Sequence, residues 1–252
     1  MTKALIIFSS LSSLFVLYIT LPMVWSLIIG LPHIGEIFSD SEALHAIGLS
    51  LYAGFTASAA TALLGTPLAY ILSRCKNNLT KVLESVLEVP LALPHSVAGI
   101  MILLAYNSRT SLGQLLSSAG VVIEDGFWGI VFVMVFVSAP IFISTVRAGF
   151  DSIDVEVENV ARTLGASWLQ TFFRITLPLN LRHVLAGAIL SFARSISEVG
   201  AVMIVAYYPK VAATLVVERF LAYGLASALS LTVVLIFISV AIFAALKIVL
   251  RG

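Results

Sequence analysis

Residues 220–246 read FLAYGLASALSLTVVLIFISVAIFAAL, a stretch of 27 residues with no Asp, Glu, Lys, Arg or His. A helix of about 20 apolar residues is long enough to cross a bilayer. The whole chain of 252 residues has a similar character, because 60% of it is hydrophobic and only 11% is charged, against about 25% in soluble domains. This composition excludes an ordinary soluble enzyme and predicts that lipid is the main solvent of the chain.

Five further stretches resemble the first, so the sequence predicts six transmembrane helices. The six stretches, almost free of ionisable side chains, are residues 4–32, 46–73, 89–108, 126–146, 184–209 and 220–246. They are continuous apolar runs without the alternation of outer-membrane β-strands. We expect the first run to be a retained helix, because it is much longer than the core of a signal peptide. The predicted fold is an all-α polytopic membrane protein in which residues 1–252 form one transmembrane domain.

The distribution of Lys and Arg predicts the orientation of the chain. With a cytoplasmic N-terminus, ten basic residues lie on the inner side, namely Lys3, Arg74, Lys76, Lys81, Arg147, Arg162, Arg174, Arg182, Lys247 and Arg251. Three lie on the outer side, namely Arg109, Lys210 and Arg219. Cytoplasmic loops of membrane proteins carry the excess of basic residues. We therefore expect a multi-pass protein of the cell membrane with both termini in the cytoplasm.

The longest predicted cytoplasmic segment, residues 147–182, should contain two short helices. The acidic stretch 154–158 favours a helix N-terminus, and Gly165 would end that helix. Residues 167–170, SWLQ, have the spacing of a capping box, which begins a second helix, and we expect Pro178 to end it. An aromatic stripe is expected on one side of this second helix, because four apolar side chains lie at helical spacing, namely Trp168, Leu169, Phe172 and Phe173. On physical grounds alone, the second helix either lies on the lipid surface or docks on another protein.

The same segment resembles the EAA loop of ABC-transporter permease subunits. The family pattern is E-A-A, three residues, glycine, nine residues and I-x-L-P, and residues 165–178 match its second half. The resemblance implies that residues 151–178 form coupling helices that dock on an ATP-binding subunit, of which the complete transporter has two. The residues assigned to this contact are Glu158, Asn159, Ala161, Gly165, Ile175, Leu177 and Pro178.

The first half of the pattern departs from the family. Asn159 occupies the position of the family glutamate, and Glu158 lies one residue earlier. On a helix, neighbouring residues point about 100° apart, so Glu158 would face a different direction. We expect the docking contact to rest on shape, through Ala161 and Gly165.

The fifth apolar run and the residues after it indicate which branch of the permease family the chain resembles. Its string S-F-A-R, three residues, E-x-G-A at residues 191–201 is similar to permeases of the molybdate, tungstate and sulfate importers. Residues 206–209 and 218–225 are most similar to the archaeal molybdate/tungstate branch. The resemblance implies the permease subunit of an ABC importer for molybdate or tungstate, with sulfate as the nearest alternative. It also implies a second permease copy and an extracytoplasmic binding protein that selects the oxyanion.

Arg194 and Glu198 are charged residues in the middle of the fifth predicted span. A charge at the centre of a membrane helix costs at least about 2.5–3.5 kcal/mol, and a spacing of four residues lets the two side chains face each other. They either line or gate the translocation pathway, or they form a self-neutralising pair that fixes helix packing. His95, which follows Pro94 in the third run, is a third candidate for the pathway, although a lone histidine can also serve packing alone.

Other functions lack their sequence signatures. No G-x-x-x-x-G-K-[ST] loop occurs, so we expect that the chain is not an enzyme, that it binds no cofactor, and that a partner subunit uses ATP and Mg²⁺. No zinc-ligand motif occurs, so no metal site is expected. The net charge of +1 gives no electrostatic reason to expect nucleic-acid binding. A secondary transporter would need coupling-ion residues and internal repeats, and the sequence has no convincing repeat.

Overall fold

The computed structural model describes residues 2–251, with the side chains of residues 5–250. Within this part of the chain the elements are helices and no β-strand occurs, which confirms the predicted all-α class. The helices are α1 (Thr2–Gly30), α2 (Ser41–Arg74), α3 (Asn78–Ala92), α4 (His95–Tyr106), α5 (Ser111–Ser118), α6 (Phe127–Asp151), α7 (Val155–Thr163), α8 (Trp168–Thr171), α9 (Leu177–Leu179), α10 (Leu181–Ile196), α11 (Gly200–Val205), α12 (Ala212–Tyr223) and α13 (Leu225–Arg251). A 3₁₀ segment, Leu31–Ser39, follows α1, and a π-helical segment, Phe172–Thr176, joins α8 to α9.

Four helices are long and apolar enough to cross a membrane, namely α1, α2, α6 and α13, the first of them extended by the 3₁₀ segment. A fifth crossing arises if the segment Trp168–Leu179 and α10, which meet at 69°, count as one bent span. The chain is therefore a multi-pass membrane protein by its helices. The predicted number of six crossings stays a prediction.

Two of the six predicted apolar runs are broken within the structure. The run 89–108 divides between α3 and α4, because Leu93 is extended and Pro94 precedes the first residue of α4. A residue before proline is disfavoured in the helical region, which explains this break. The run 184–209 divides between α10 and α11, with residues 197–199 between them.

The end of the second predicted cytoplasmic helix lies further along the chain than Pro178. The helical path continues from α8 through the π-helical segment into α9, and Pro178 is one of the first residues of α9. Proline is tolerated in a first turn, where its missing N–H costs nothing. The sharp bend lies at Asn180, whose side-chain amide donates to the carbonyl of Val146 at 2.9 Å. The helix therefore ends at Leu179, one residue beyond the predicted end at Pro178.

The core lies where α2, α6 and α10 pack together. Glycines of α2 allow this approach: a side chain at Gly65 would meet the ring of Phe142 at 2.8 Å, and one at Gly54 would meet Ile196 at 2.6 Å. Small residues at helix contacts are a common device in membrane bundles. In contrast, the large apolar side chains of α1 are exposed along its length, as expected for a surface in contact with lipid.

Candidate functional site

Glu198 is a fully buried carboxylate in the break between α10 and α11. Its Oε2 atom lies 3.0 Å from Nη1 of Arg194 and 2.7 Å from Nδ1 of His95. Its Oε1 atom accepts a hydrogen bond from the backbone N–H of Ala201 at 3.0 Å. The structure thus brings together the three residues predicted for the pathway, although the roles of those residues stay a prediction.

The local sequence explains why this carboxylate sits at a break. Helix α10 ends at Ile196, and the hydroxyl of Ser197 donates back to the carbonyl of Arg194 at 2.9 Å. Glu198 then accepts from the first turn of α11, where N–H groups have no partner within the helix. Helix α4 comes very close here, since a side chain at Gly99 would meet the carbonyl oxygen of Ala201 at 2.8 Å. This close contact holds the N-terminus of α4, with His95, beside Glu198.

The two side chains that bond to Glu198 differ in their exposed fractions. The side chain of His95 is 55% exposed and that of Arg194 is 21% exposed. Arg194 lines a cavity of about 540 Å³ between α6, α10, α12 and α13, whose other lining residues are mostly apolar. The carboxylate of Glu198 neutralises the guanidinium in this arrangement.

The segment 151–178 forms the two predicted cytoplasmic helices. Asp154 caps α7 by accepting from the backbone N–H of Glu156 at 3.0 Å. Gly165 follows α7 with a φ of +92°, a conformation that favours glycine. Ser167 and Gln170 form the predicted capping box at the start of α8. The prediction of both helix starts and of the glycine break is therefore confirmed.

Helix α7 has an inverted distribution of polarity. Its buried residues are Glu158 and Ala161. Its apolar side chains face outward, since Val157 is 41%, Val160 57% and the following residue Leu164 83% exposed. A helix on an isolated soluble surface would normally bury such apolar residues and expose the carboxylate. The outward face of α7 is therefore a surface without an apolar partner within the described chain.

Glu158 is held inside the chain by two residues of α2. Arg74 donates to its Oε1 atom from Nη2 at 2.8 Å and from Nε at 3.0 Å. The hydroxyl of Tyr70 donates to its Oε2 atom at 2.8 Å. Asn159 instead is exposed and bonds only locally to Glu156. Glu158 lies one residue before the position of the family glutamate, and its carboxylate faces the interior, whereas Asn159 at that position faces outward.

The aromatic stripe predicted on α8 is split by the structure. Phe172 is buried and lies edge-on to Tyr70, with ring centroids 5.0 Å apart. Trp168 stacks on Phe172 at 6.1 Å but is half exposed, and Leu169 and Phe173 are exposed. The four side chains therefore differ in burial, and Phe172 is the one that packs into the core.

The remaining residues assigned to the coupling contact have mixed environments. Ala161 is buried, whereas Gly165 and Pro178 are exposed. Ile175 and Leu177 are partly buried, and Leu177 packs against the cluster around Phe172. The burial of Ala161 makes it a packing residue of α7 in this structure. The coupling role of the whole set stays a prediction.

Sequence reasoning missed a charged cluster on the predicted outer side. Arg219 bonds to Asp40 and Glu42, while Lys210 lies 2.7 Å from Glu218 and 3.0 Å from Glu42. The hydrogen bond from Arg219 lowers the pKa of Asp40 below its ordinary value. The hydrogen bonds to Glu218 and then Glu42 raise the pKa of Lys210. These contacts fasten α12 to the start of α2.

Comparison with known proteins decides the family. Residues 62–252 match the family described as "Binding-protein-dependent transport system inner membrane component". The chain belongs to this family. The molybdate/tungstate transport system permease protein WtpB of Pyrococcus abyssi is 38% identical over 246 residues, which cover 96% of this chain and 94% of that one. The sulfate transport system permease protein CysT of Synechococcus elongatus is 32% identical over 242 residues, which cover 94% and 84%.

Solved structures agree at the level of the fold. A chain from the crystal structure of a bacterial alginate ABC transporter, in complex with a pentasaccharide-bound periplasmic protein, superposes with a TM-score of 0.70. The two sequences are 18% identical, and the match covers 98% of the present chain and 92% of the alginate-transporter chain. The family match and the archaeal relative confirm the family resemblance drawn from residues 151–178 and 191–201.

Proposed function

We propose that this chain is the transmembrane permease subunit of an ATP-driven importer that carries molybdate or tungstate into the cell. The observation that carries this proposal is the 38% identity to an archaeal molybdate/tungstate permease over nearly the full length of both chains. The fold supports the general function, since apolar helices surround a buried charged cluster at a helix break. A partner subunit supplies ATP hydrolysis, and an extracytoplasmic binding protein delivers the anion.

The coupling segment 151–178 docks on an ATP-binding subunit. The exposed apolar face of α7 supports this assignment, because Val157, Val160 and Leu164 lack an apolar partner within the described chain. Two copies of the permease pair around a central path, and each takes one ATP-binding subunit. Closure of the two ATP-binding subunits draws the coupling segments together and opens the path outward, and hydrolysis reverses this movement.

Arg194, Glu198 and His95 form the gate of this path. In the present arrangement, Glu198 neutralises Arg194 and ties α10 to α4 through His95. Movement of α4 away from α11 would separate His95 from Glu198 and loosen the carboxylate. The guanidinium of Arg194 could then attract the passing oxyanion. It would not bind the oxyanion tightly, because tight binding would slow its release.

Transport competition tests the proposed substrate. The complex of this permease with its ATP-binding subunits is placed in proteoliposomes with the cognate binding protein, and ATP-dependent uptake of labelled molybdate is measured. We expect unlabelled tungstate to compete and sulfate in excess to leave uptake unchanged. Preferential uptake of sulfate would assign the chain to the sulfate importers, to which the 32% identical relative belongs by name.

Site-directed crosslinking tests the docking surface. In a Cys75→Ser background, which removes the single cysteine of the chain, Leu164→Cys places a thiol on the exposed end of α7. We expect it to crosslink to the ATP-binding subunit with a yield that changes when ATP is added. Ala161→Cys on the buried face of the same helix is the matched control and should give no product. If every exposed position of α7 fails to crosslink in an intact complex, docking through this segment is contradicted.

A further inference from the structure

Arg74, the last residue of α2, joins three helices through one guanidinium. Its Nη1 atom donates to the carbonyl of Phe150 near the end of α6 at 2.9 Å. Its Nη2 and Nε atoms donate to Glu158 of α7 at 2.8 and 3.0 Å. The side chains of Arg74 and Glu158 are only 14% and 10% exposed. Charge-assisted hydrogen bonds at such a site are stronger than neutral ones.

Neighbouring contacts reinforce the same junction. The hydroxyl of Tyr70 donates to the second oxygen of Glu158 at 2.8 Å, and the hydroxyl of Ser73 donates to Asp151 at 2.7 Å. The ring of Tyr70 lies 5.4 Å from that of Phe150 and 5.8 Å from that of Trp168. The start of α8 is therefore packed onto the same end of α2. Together these contacts make α7, the start of α8, and the inner ends of α2 and α6 one rigid unit.

Helix α2 extends from this junction toward the buried charged cluster. Its 34 residues span about 50 Å at 1.5 Å per residue. Midway, the hydroxyl of Ser58 donates to the carbonyl of Ala188 in α10 at 2.7 Å. Further along, Gly54 lies directly against Ile196 at the end of α10, two residues beyond Arg194. A displacement of α7 would thus reach Arg194 through α2 and its contacts with α10.

We propose that Arg74 is a positioning residue for energy coupling, which fastens the coupling segment to α2 and so transmits its movement to the gate. In this arrangement Glu158 acts as the internal partner of Arg74, and it does not contact the ATP-binding subunit. The inference rests on the proposed function, because it presupposes that an ATP-binding subunit moves residues 151–178. It goes further by assigning the transmitting contact to one ion pair.

The ratio of molybdate transported to ATP hydrolysed tests this role. Arg74→Gln and Glu158→Gln are each compared with wild type in proteoliposomes that contain the complete complex and the binding protein. We expect the ATP-binding subunits to remain bound and hydrolysis to stay near that of wild type, while transport per ATP falls about tenfold, within the usual range of coupling energies. Arg74→Lys, which keeps the charge, should recover part of the ratio.

A double variant separates an ion pair from two independent contacts. If Arg74 and Glu158 act through each other, Arg74→Gln/Glu158→Gln should be no worse than either single variant, whereas independent sites add. The proposal would be overturned if the double variant lost as much coupling as the two single variants together. It would also be overturned if transport and ATP hydrolysis fell equally in the single variants. Lys76→Gln is the matched control, because Lys76 is an exposed cation two residues from Arg74, and it should keep the wild-type ratio.

A milder variant protects the test against misfolding. Tyr70→Phe removes only the hydroxyl that bonds to Glu158 and keeps the ring packing. If Arg74→Gln fails to assemble, Tyr70→Phe decides: a lower transport-to-hydrolysis ratio supports the proposal, and an unchanged ratio overturns it. Absence of ATP-driven uptake by the wild-type complex would instead count against the proposed function itself.

Discussion

At the scale of single residues, two buried carboxylates organise this permease. Glu198 and Glu158 each face an arginine at hydrogen-bonding distance and each accept a further hydrogen bond. A buried ion pair contributes little net stability compared with apolar residues, but the loss of one partner leaves an uncompensated charge. These acids therefore fix particular helix arrangements. Glu198 does so between α10, α11 and α4, and Glu158 does so between α7 and α2.

The first prediction concerns Glu198. Glu198→Gln keeps the shape of the side chain but leaves Arg194 without its carboxylate, so we expect a loss of stability of the order of 3 kcal/mol. The double variant Arg194→Met/Glu198→Gln removes both charges and should recover part of that loss. Thermal unfolding of the detergent-purified complex measures both effects. A double variant that is as unstable as the sum of its single variants would argue against a paired role.

The second prediction follows from the lowered pKa of Asp40, which the hydrogen bond from Arg219 causes. A carboxylate with a lowered pKa in the folded state stabilises the protein above its ordinary pKa, and this contribution is lost as the pH falls through the folded value. Asp40→Asn should therefore flatten the fall in melting temperature between about pH 5 and pH 3. Glu36→Gln removes an exposed carboxylate of the same outer segment and is the control. If the melting temperature of Asp40→Asn falls with pH as steeply as that of wild type, the Asp40 carboxylate does not stabilise the protein through Arg219.

At the scale of elements, interruptions of the helices determine the site. The break after α10 places Glu198 opposite the start of α4, and the break before α4 supplies His95 at that start. Broken helices are tolerated within a membrane protein when neighbouring groups satisfy the freed backbone, as Glu198 does for Ala201. The close packing of α4 on α11 is what keeps the two breaks together.

The third prediction tests this packing. Gly99→Ala adds a methyl group that would meet the carbonyl oxygen of Ala201 at 2.8 Å and Cβ of Ile204 at 2.9 Å. We expect a loss of about 1–3 kcal/mol from overpacking, and an altered rate of transport, because the clash displaces α4 and with it His95 from Glu198. Gly48→Ala is the matched control, because nothing lies within 4 Å of the added atom. Equal melting temperatures and uptake rates for the two variants would refute this contact.

At the scale of the whole molecule, helices with exposed apolar surfaces pack beside a core formed by α2, α6 and α10. The exposed apolar surfaces of α1 and α13 suit the bilayer, whereas α2, α6 and α10 bury small and hydroxyl-bearing residues against each other. The outward apolar face of α7 has no apolar partner within the described chain, and the proposed function assigns a protein partner to it. The predicted orientation places that face in the cytoplasm.

The fourth prediction tests this orientation through the natural Cys75, an exposed thiol directly after α2. An impermeant maleimide should label it in inside-out vesicles and leave it unlabelled in sealed right-side-out vesicles. Glu36→Cys in a Cys75→Ser background should give the opposite pattern, because residue 36 lies in the predicted outer segment. The reverse result for both positions would place the termini outside the cell.

Local features of this protein were predictable from the sequence. The apolar runs, the caps of α7 and α8 and the glycine between them depend on residues close together in the chain, so their pattern is visible in one dimension. The same holds for the spacing of four between Arg194 and Glu198, which lets them pair once the helix forms. Likewise, the I-x-L-P end of the coupling segment is a local string that identified the family.

Only the tertiary structure decided which partners the buried charges have. Glu158 meets Arg74 across 84 residues, and Glu198 meets His95 across 103. Neither pairing has a local signature, because each depends on how α2, α4, α6 and α10 pack. The sequence alone determined that the chain is a helical membrane protein, since composition and short spacings fix solvent and helices, and its resemblance to a known family indicated a permease. The packing of distant helices decided that Glu198 joins α10 to α4 and that Glu158 joins α7 to α2.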